Sequence, residues 1–292
     1  MTSDSEGKSM TTSLRQLVQE NLDPDNPAHR DPDFIQEVVW PLLRHVGTYY
    51  FRIESRGTEN LPKQGEPFIV VGNHSGGPIL PDVWLTAAYW WDVFGIEVPA
   101  YAMVHDLVFR VPVLRNILIK AGALRASRSN AAKVLEMGGT VLVYPGGAEE
   151  AQRSFWRRNQ IDFRGRTGFI ELALQYGVPI LPVVNVGAHE VYFTLFSSRL
   201  LAQITGLTRL TGVKTLPLNI GLPWGVWLTG FLPYIPLPSK IVFDVGKPVY
   251  LPKDPELAKN RSFVREVYFE ITRTMQKMLD ELARERRFPV LG

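Results

Sequence analysis

The chain has 292 residues, 45% of them hydrophobic, with a net charge of +3 and a pI near 9.0. That supplies core for one large domain or two small ones, and the mild basicity suits an anionic surface better than nucleic acid. Zero cysteines exclude disulfides, thiolate nucleophiles and cysteine-ligated zinc, and fit a reducing compartment. No apolar run reaches 18 residues, so no spanning helix is expected. The polar opening 1–12 lacks the apolar centre of a secretory signal and reads as disordered, leaving 13–292 as the domain.

The first element is an amphipathic helix over 33–52. Phe34, Val38, Val39, Leu42, Leu43, Val46 and Tyr50 fall near helical spacing, Asp33 can cap it, and Pro41 should kink it. Such a helix packs on the domain or lies in a bilayer interface. Residues 68–71 then form a short apolar run between Pro67 and Gly72, the pattern of a buried parallel strand. This strand hands Asn73 and His74 to a turn of Ser75, Gly76, Gly77 and Pro78. Pro81 and Asp82 have the chemistry of a helix start.

Helix over 82–94, strand over 98–104, helix over 107–121 and strand over 122–126 follow. Ser127 or Ser129 caps a helix through Met137 that Gly138 and Gly139 end. A strand over 140–144 runs into Pro145-Gly146-Gly147. A helix over 167–176 stops at Gly177 before a strand over 179–186. This alternation predicts a single α/β domain with a largely parallel central sheet flanked by helices. In such sheets the chemistry collects beyond the carboxyl ends of the strands, where His74, Gly146-Gly147 and 185–189 would meet.

The stretch 216–234 is apolar, aromatic and broken by Pro and Gly, and reads as an irregular surface for lipid or acyl-chain contact. Tryptophans 84, 90, 91, 224 and 227 in apolar surroundings also suit a membrane interface, with burial in the core as the alternative. A strand over 241–245 precedes a long amphipathic helix over 261–287, with Phe263, Val267, Ile271, Met275, Met278 and Leu282 as its stripe.

No nucleophile elbow, phosphate-binding loop, dinucleotide fingerprint or zincin helix is present. His74, with Asp82 able to return toward it, is a usable general base with its orienter. His105-Asp106 and His189-Glu190 are secondary pairs, the latter a candidate for the cleft. Arginines 125, 128, 153, 157, 158, 164 and 166 could grip phosphate or carboxylate. Phe155, Trp156 and Phe163 among them permit a nucleic-acid reading, but no recognition motif accompanies them, and nucleic acid is not expected as a partner.

Four blocks in order carry a family resemblance: Asn73-His74 with a following aspartate, GALRASR at 122–128, YPGG at 144–147 and VPILP at 178–182. Together they resemble the glycerolipid acyltransferase superfamily over 60–190. YPGGAEEA at 144–151 with RGRTGF at 164–169 is similar to its diacylglycerol and monoacylglycerol acyltransferase branch. The resemblance implies His74 as base and Asp82 as partner. Substrate contacts are implied at Asn73, Ser75, Arg128, Pro145, Gly146, Gly147, Glu149, Arg164 and Arg166, with no metal and no cofactor.

Seven residues separate His74 from Asp82, where the family pattern has four. Gly146-Gly147-Ala148-Glu149 replaces the usual Glu-Gly-Thr-Arg, so a neutral hydroxyl acceptor is expected rather than a phosphorylated one. The implied partners are an acyl thioester (acyl-CoA or acyl carrier protein), a lipid acceptor and the cytoplasmic face of a membrane, held peripherally. The reaction is O-acyl transfer, with Gly146-Gly147 amides at the oxyanion. Hydrolysis through Ser75 and non-catalytic lipid binding are the alternatives.

Overall fold

A computed structural model describes residues 20–63, 65–229 and 232–292; the expected disordered opening lies outside the described residues. A continuous helical run over 32–50 (α1) joins α-helical Pro32–Phe34 and Trp40–His45 with π-helical turns at Ile35–Val39 and Val46–Tyr50. Asp31, rather than Asp33, caps it by accepting from Phe34 N–H at 2.9 Å. Pro41 has no N–H to donate, and the wider π-turn just before it is where the helical ladder absorbs that loss. Ile35 and Gly47 are buried and Val39, Leu43 and Val46 pack inward, while Val38, Leu42 and Tyr49 form an exposed apolar stripe.

The chain continues through β1 (Glu54–Arg56), β2 (Ile69–Gly72), α2 (Pro81–Phe94), β3 (Ala100–Val104), α3 (Pro112–Lys120) and β4 (Ala123–Arg125). Next come α4 (Arg128–Glu136), β5 (Thr140–Val143), α5 (Gly147–Ala151), α6 (Gly168–Tyr176) and β6 (Ile180–Val186). An excursion holds β7 (Phe193–Ser198), α7 (Arg199–Ile204), α8 (Leu207–Thr211), β8 (Leu216–Gly221) and β9 (Gly225–Leu228), before β10 (Val242–Val245) and α9 (Arg261–Glu285).

The main sheet has strand order β1-β10-β6-β2-β5-β3-β4. The five strands from β6 to β4 are parallel; β10 runs antiparallel to β6, with Val242 opposite Val186, and β1 runs parallel to β10. Side chains alternate across this sheet as the strand period requires. Ile69, Val71, Val141, Ile180 and Val184 join the core under α4, α6 and α9; Val70, Leu142, Leu181 and Val183 join the one under α1 and α2.

Several expectations are corrected, and others are resolved between the alternatives offered. The helix expected over 107–121 is a 3₁₀ turn, Asp106–Arg110, then α3, because Val111 precedes a proline and is held extended at φ −96°. Ser127, not Ser129, caps α4. The stretch expected to be irregular begins with a hairpin: β8 and β9 pair antiparallel, and with β7 they form a separate three-stranded sheet. Trp90, Trp91 and Trp227 are core residues, whereas Trp224 is exposed. The buried stripe of α9 uses Val264 and Leu279 in place of Phe263 and Met278.

Candidate active site

The site begins where β2 ends. Gly72 has no room for a side chain, since a Cβ there would lie 2.5 Å from the Tyr144 ring. Asn73 is fully buried and locked to the neighbouring strand: Asn185 N–H donates to Asn73 Oδ1 at 2.7 Å, and Asn73 Nδ2 donates to Asn185 O at 3.0 Å. Gly76 (φ 83°), Gly77 (φ 54°) and Leu80 (φ 53°) turn the chain through the left-handed region and fold the seven intervening residues back on themselves. Tyr234 pins this turn by donating to Gly76 O at 2.6 Å.

Asp82 is thereby delivered to His74. His74 Nδ1–H donates to Asp82 Oδ2 at 2.9 Å, and the same carboxylate accepts from Ser75 N–H at 2.7 Å and Val83 N–H at 3.0 Å. With Nδ1 carrying the proton, Nε2 holds a lone pair. The Tyr144 ring stacks on the imidazole at 4.7 Å. Its hydroxyl, within reach of Asp82 O and Thr86 Oγ1, is held well above the usual phenol range by burial and by the Asp82 charge.

Two buried charged groups brace the histidine backbone. Glu150 accepts His74 N–H through Oε2 and Asp162 N–H through Oε1, both at 3.0 Å. Arg153 donates to the carbonyls of His74, Glu150, Arg157 and Arg158, and to Ser75 Oγ at 3.3 Å. Burial pushes the Glu150 carboxyl up and the Arg153 guanidinium down. Nothing in the block pattern identified Arg153 as a brace; its signal was an arginine three residues past Glu150 in the block that follows the YPGG turn.

His74 opens on a cavity of about 610 Å³ at the carboxyl edge of the sheet. Val83, Met103, Leu107, Val108, Phe169 and Val213 give it an apolar wall; Arg128, Tyr144, Glu149, Arg166 and Lys214 are polar members. Of the expected substrate contacts, Arg128, Pro145, Gly147, Glu149 and Arg166 line it. Asn73 and Ser75 do not: both are buried, where their side chains hold the turn.

Gly146 is needed because a Cβ would lie 2.0 Å from Glu150 Oε2, and the Gly147 N–H donates to Tyr144 O at 3.0 Å. Arg128 ion-pairs with Glu171. Arg164 sits off the cavity, 3.2 Å from Asp162 Oδ2 and 4.0 Å from Glu149 Oε1. His189, expected at the cleft, is buried instead and donates from Nε2 to Arg153 O at 2.7 Å; burial, reinforced by Arg153, holds its pKa well below 6.5.

A mostly parallel α/β sheet with this histidine turn at its carboxyl edge places the protein among the glycerolipid acyltransferases. Within them the chain belongs to the diacylglycerol acyltransferase family, whose model matches residues 22–281. An uncharacterized protein of Mycobacterium tuberculosis is 31% identical over 265 residues, 88% of this chain and 69% of that protein. Diacylglycerol O-acyltransferase 2 of Dictyostelium discoideum is 33% identical over 150 residues, half of this chain and 44% of that protein. The human protein of the same name is 36% identical over 87 residues, 29% of this chain and 22% of that protein. In fold, the chain is similar to the 1-acyl-sn-glycerophosphate acyltransferase PlsC of Thermotoga maritima, with a TM-score of 0.51 and 20% identity over 89% of this chain and 85% of that one.

Proposed function

We propose that the protein moves an acyl group from an acyl thioester to a glycerolipid hydroxyl at a membrane surface, with His74 as general base. The observation that carries this is the His74–Asp82 pair at 2.9 Å, opening on an apolar cavity. His74 Nε2 takes the acceptor proton as the hydroxyl oxygen attacks the thioester carbonyl. The new C–O bond forms, the C–S bond breaks, and the imidazolium returns the proton to the leaving thiolate. Asp82 fixes the tautomer and stabilises the imidazolium. A thioester is already activated, so no acyl-enzyme is required, and acyl-CoA or an acyl carrier protein would serve as donor.

Support for the membrane surface comes from the excursion. No acidic residue occurs between Glu190 and Asp244, while Leu200, Ile204, Leu210, Trp224 and Val226 stand exposed there. Gly212, Val213 and Lys214 of the same segment line the cavity, so an apolar, basic face borders its wall. Among the described residues no helix is long and apolar enough to cross a membrane, which fits a peripheral attachment, on the cytoplasmic face in this proposal.

The test is labelled acyl-CoA with acylglycerol-containing vesicles, comparing wild type with His74→Ala and Ser75→Ala. Ester formation should fall by about 10²–10⁴ with His74→Ala and survive Ser75→Ala. Free fatty acid lost only with Ser75→Ala would replace transfer by hydrolysis, and absence of turnover in the wild type would leave lipid binding.

A further inference from the structure

Glu149 is almost fully buried yet contributes to the cavity wall, and arginines from two separate segments converge on it. Arg166 Nη2 lies 3.0 Å from Oε2, and Arg199 of α7 reaches Oε1 through Nε at 2.8 Å and through Nη2 as well. Arg164 Nε stands 4.0 Å from the same oxygen. Two of these arginines have further partners, with Arg166 Nη1 on Pro145 O and Arg164 Nε on Asp162. Guanidinium forks that hold a carboxylate hold a phosphate by the same geometry, so this is a phosphate-shaped donor set already filled from within.

We infer that Glu149 is a resident anion occupying the place an acceptor phosphate would take, and that it thereby determines acceptor specificity. An uncharged hydroxyl lipid meets no like charge on this wall. A phosphorylated one meets a carboxylate whose arginines are already paired. The inference rests on the acyl-transfer reading for its substrate class, but the anion site itself is a property of this cavity.

Removing the charge should open the site. Arg166 and Arg199 are about half exposed, at 42% and 53% of their side chains, so both can rehydrate and the fold need not collapse with the pair. Glu149→Gln keeps shape and volume. Titration with glycerol 3-phosphate, followed by calorimetry, should show binding roughly tenfold or more tighter in Glu149→Gln than in wild type. The double variant Glu149→Gln/Arg166→Gln should lose that gain.

Folded Glu149→Gln protein with no gain in phosphate affinity would overturn the inference. A second measurement needs no variant: wild type with acyl-CoA and vesicles carrying lysophosphatidate beside a neutral acylglycerol should acylate only the neutral lipid and should not be inhibited by the charged one. Equal acylation of both would also overturn it. Phosphate binding gained by Glu149→Gln in a protein that transfers to no acceptor would keep the anion site and remove the acyl-transfer reading instead.

Discussion

Gly76 and Gly77 set the reach of Asp82 toward His74. A methyl group on Gly77 would meet the Tyr192 hydroxyl at 2.1 Å, in a backbone conformation that L side chains rarely adopt. Gly77→Ala should therefore lower stability by about 1–3 kcal/mol or more, read as a drop in Tm, and weaken transfer by displacing Asp82. The histidine and its partner were legible because a strand, a glycine turn and a helix start leave few other positions for them. The unusual spacing resolves in three left-handed residues, which a pattern of letters does not display. Asn73 and Ser75 lie off the cavity for a geometric reason. Successive residues leaving a strand point to opposite sides, so His74 faces the cavity while its neighbours face the interior.

Short β-branched runs bounded by proline and glycine gave nearly every strand of the main sheet its place. A run such as 241–245 announces burial without direction, and the antiparallel setting of β10 was not visible in it. The β8–β9 hairpin was hidden by its own prolines and glycines, and only cross-strand pairing reveals it. In α9 the apolar residues outnumber those the core can take. Val264, Val267, Ile271, Met275, Leu279 and Leu282 are buried, while Phe263 and Met278 sit half-covered beside them. Leu279→Ala should cost about 2–5 kcal/mol in urea denaturation, and Met278→Ala distinctly less.

At the scale of the whole molecule, His189 makes stability depend on pH. Its Nε2–H is bonded to Arg153 O, its Nδ1 is buried with no hydrogen-bond partner among the described residues, and its folded pKa lies well below 6.5. Between that depressed value and about 6.5 the unfolded chain binds a proton that the folded chain does not. Stability contributed by this residue is thus complete above that window and is lost as pH falls through it, with a limiting slope of about 1.4 kcal/mol per pH unit. Glu150, with its raised carboxyl, acts in the opposite sense at lower pH. Tm measured from pH 7.5 to 5 should fall in wild type, and His189→Gln should flatten the decline.

The excursion leaves the main sheet after Val186 and returns directly opposite it at Val242, so its two ends stay one strand spacing apart however long the intervening chain becomes. Lengthening it adds only a slowly growing closure entropy. The root, where Tyr192 and Tyr234 prop the glycine turn, is fixed by the histidine. The tip near Gly206 has no such duty, so the fold can graft new outer surfaces there without disturbing the His74 turn.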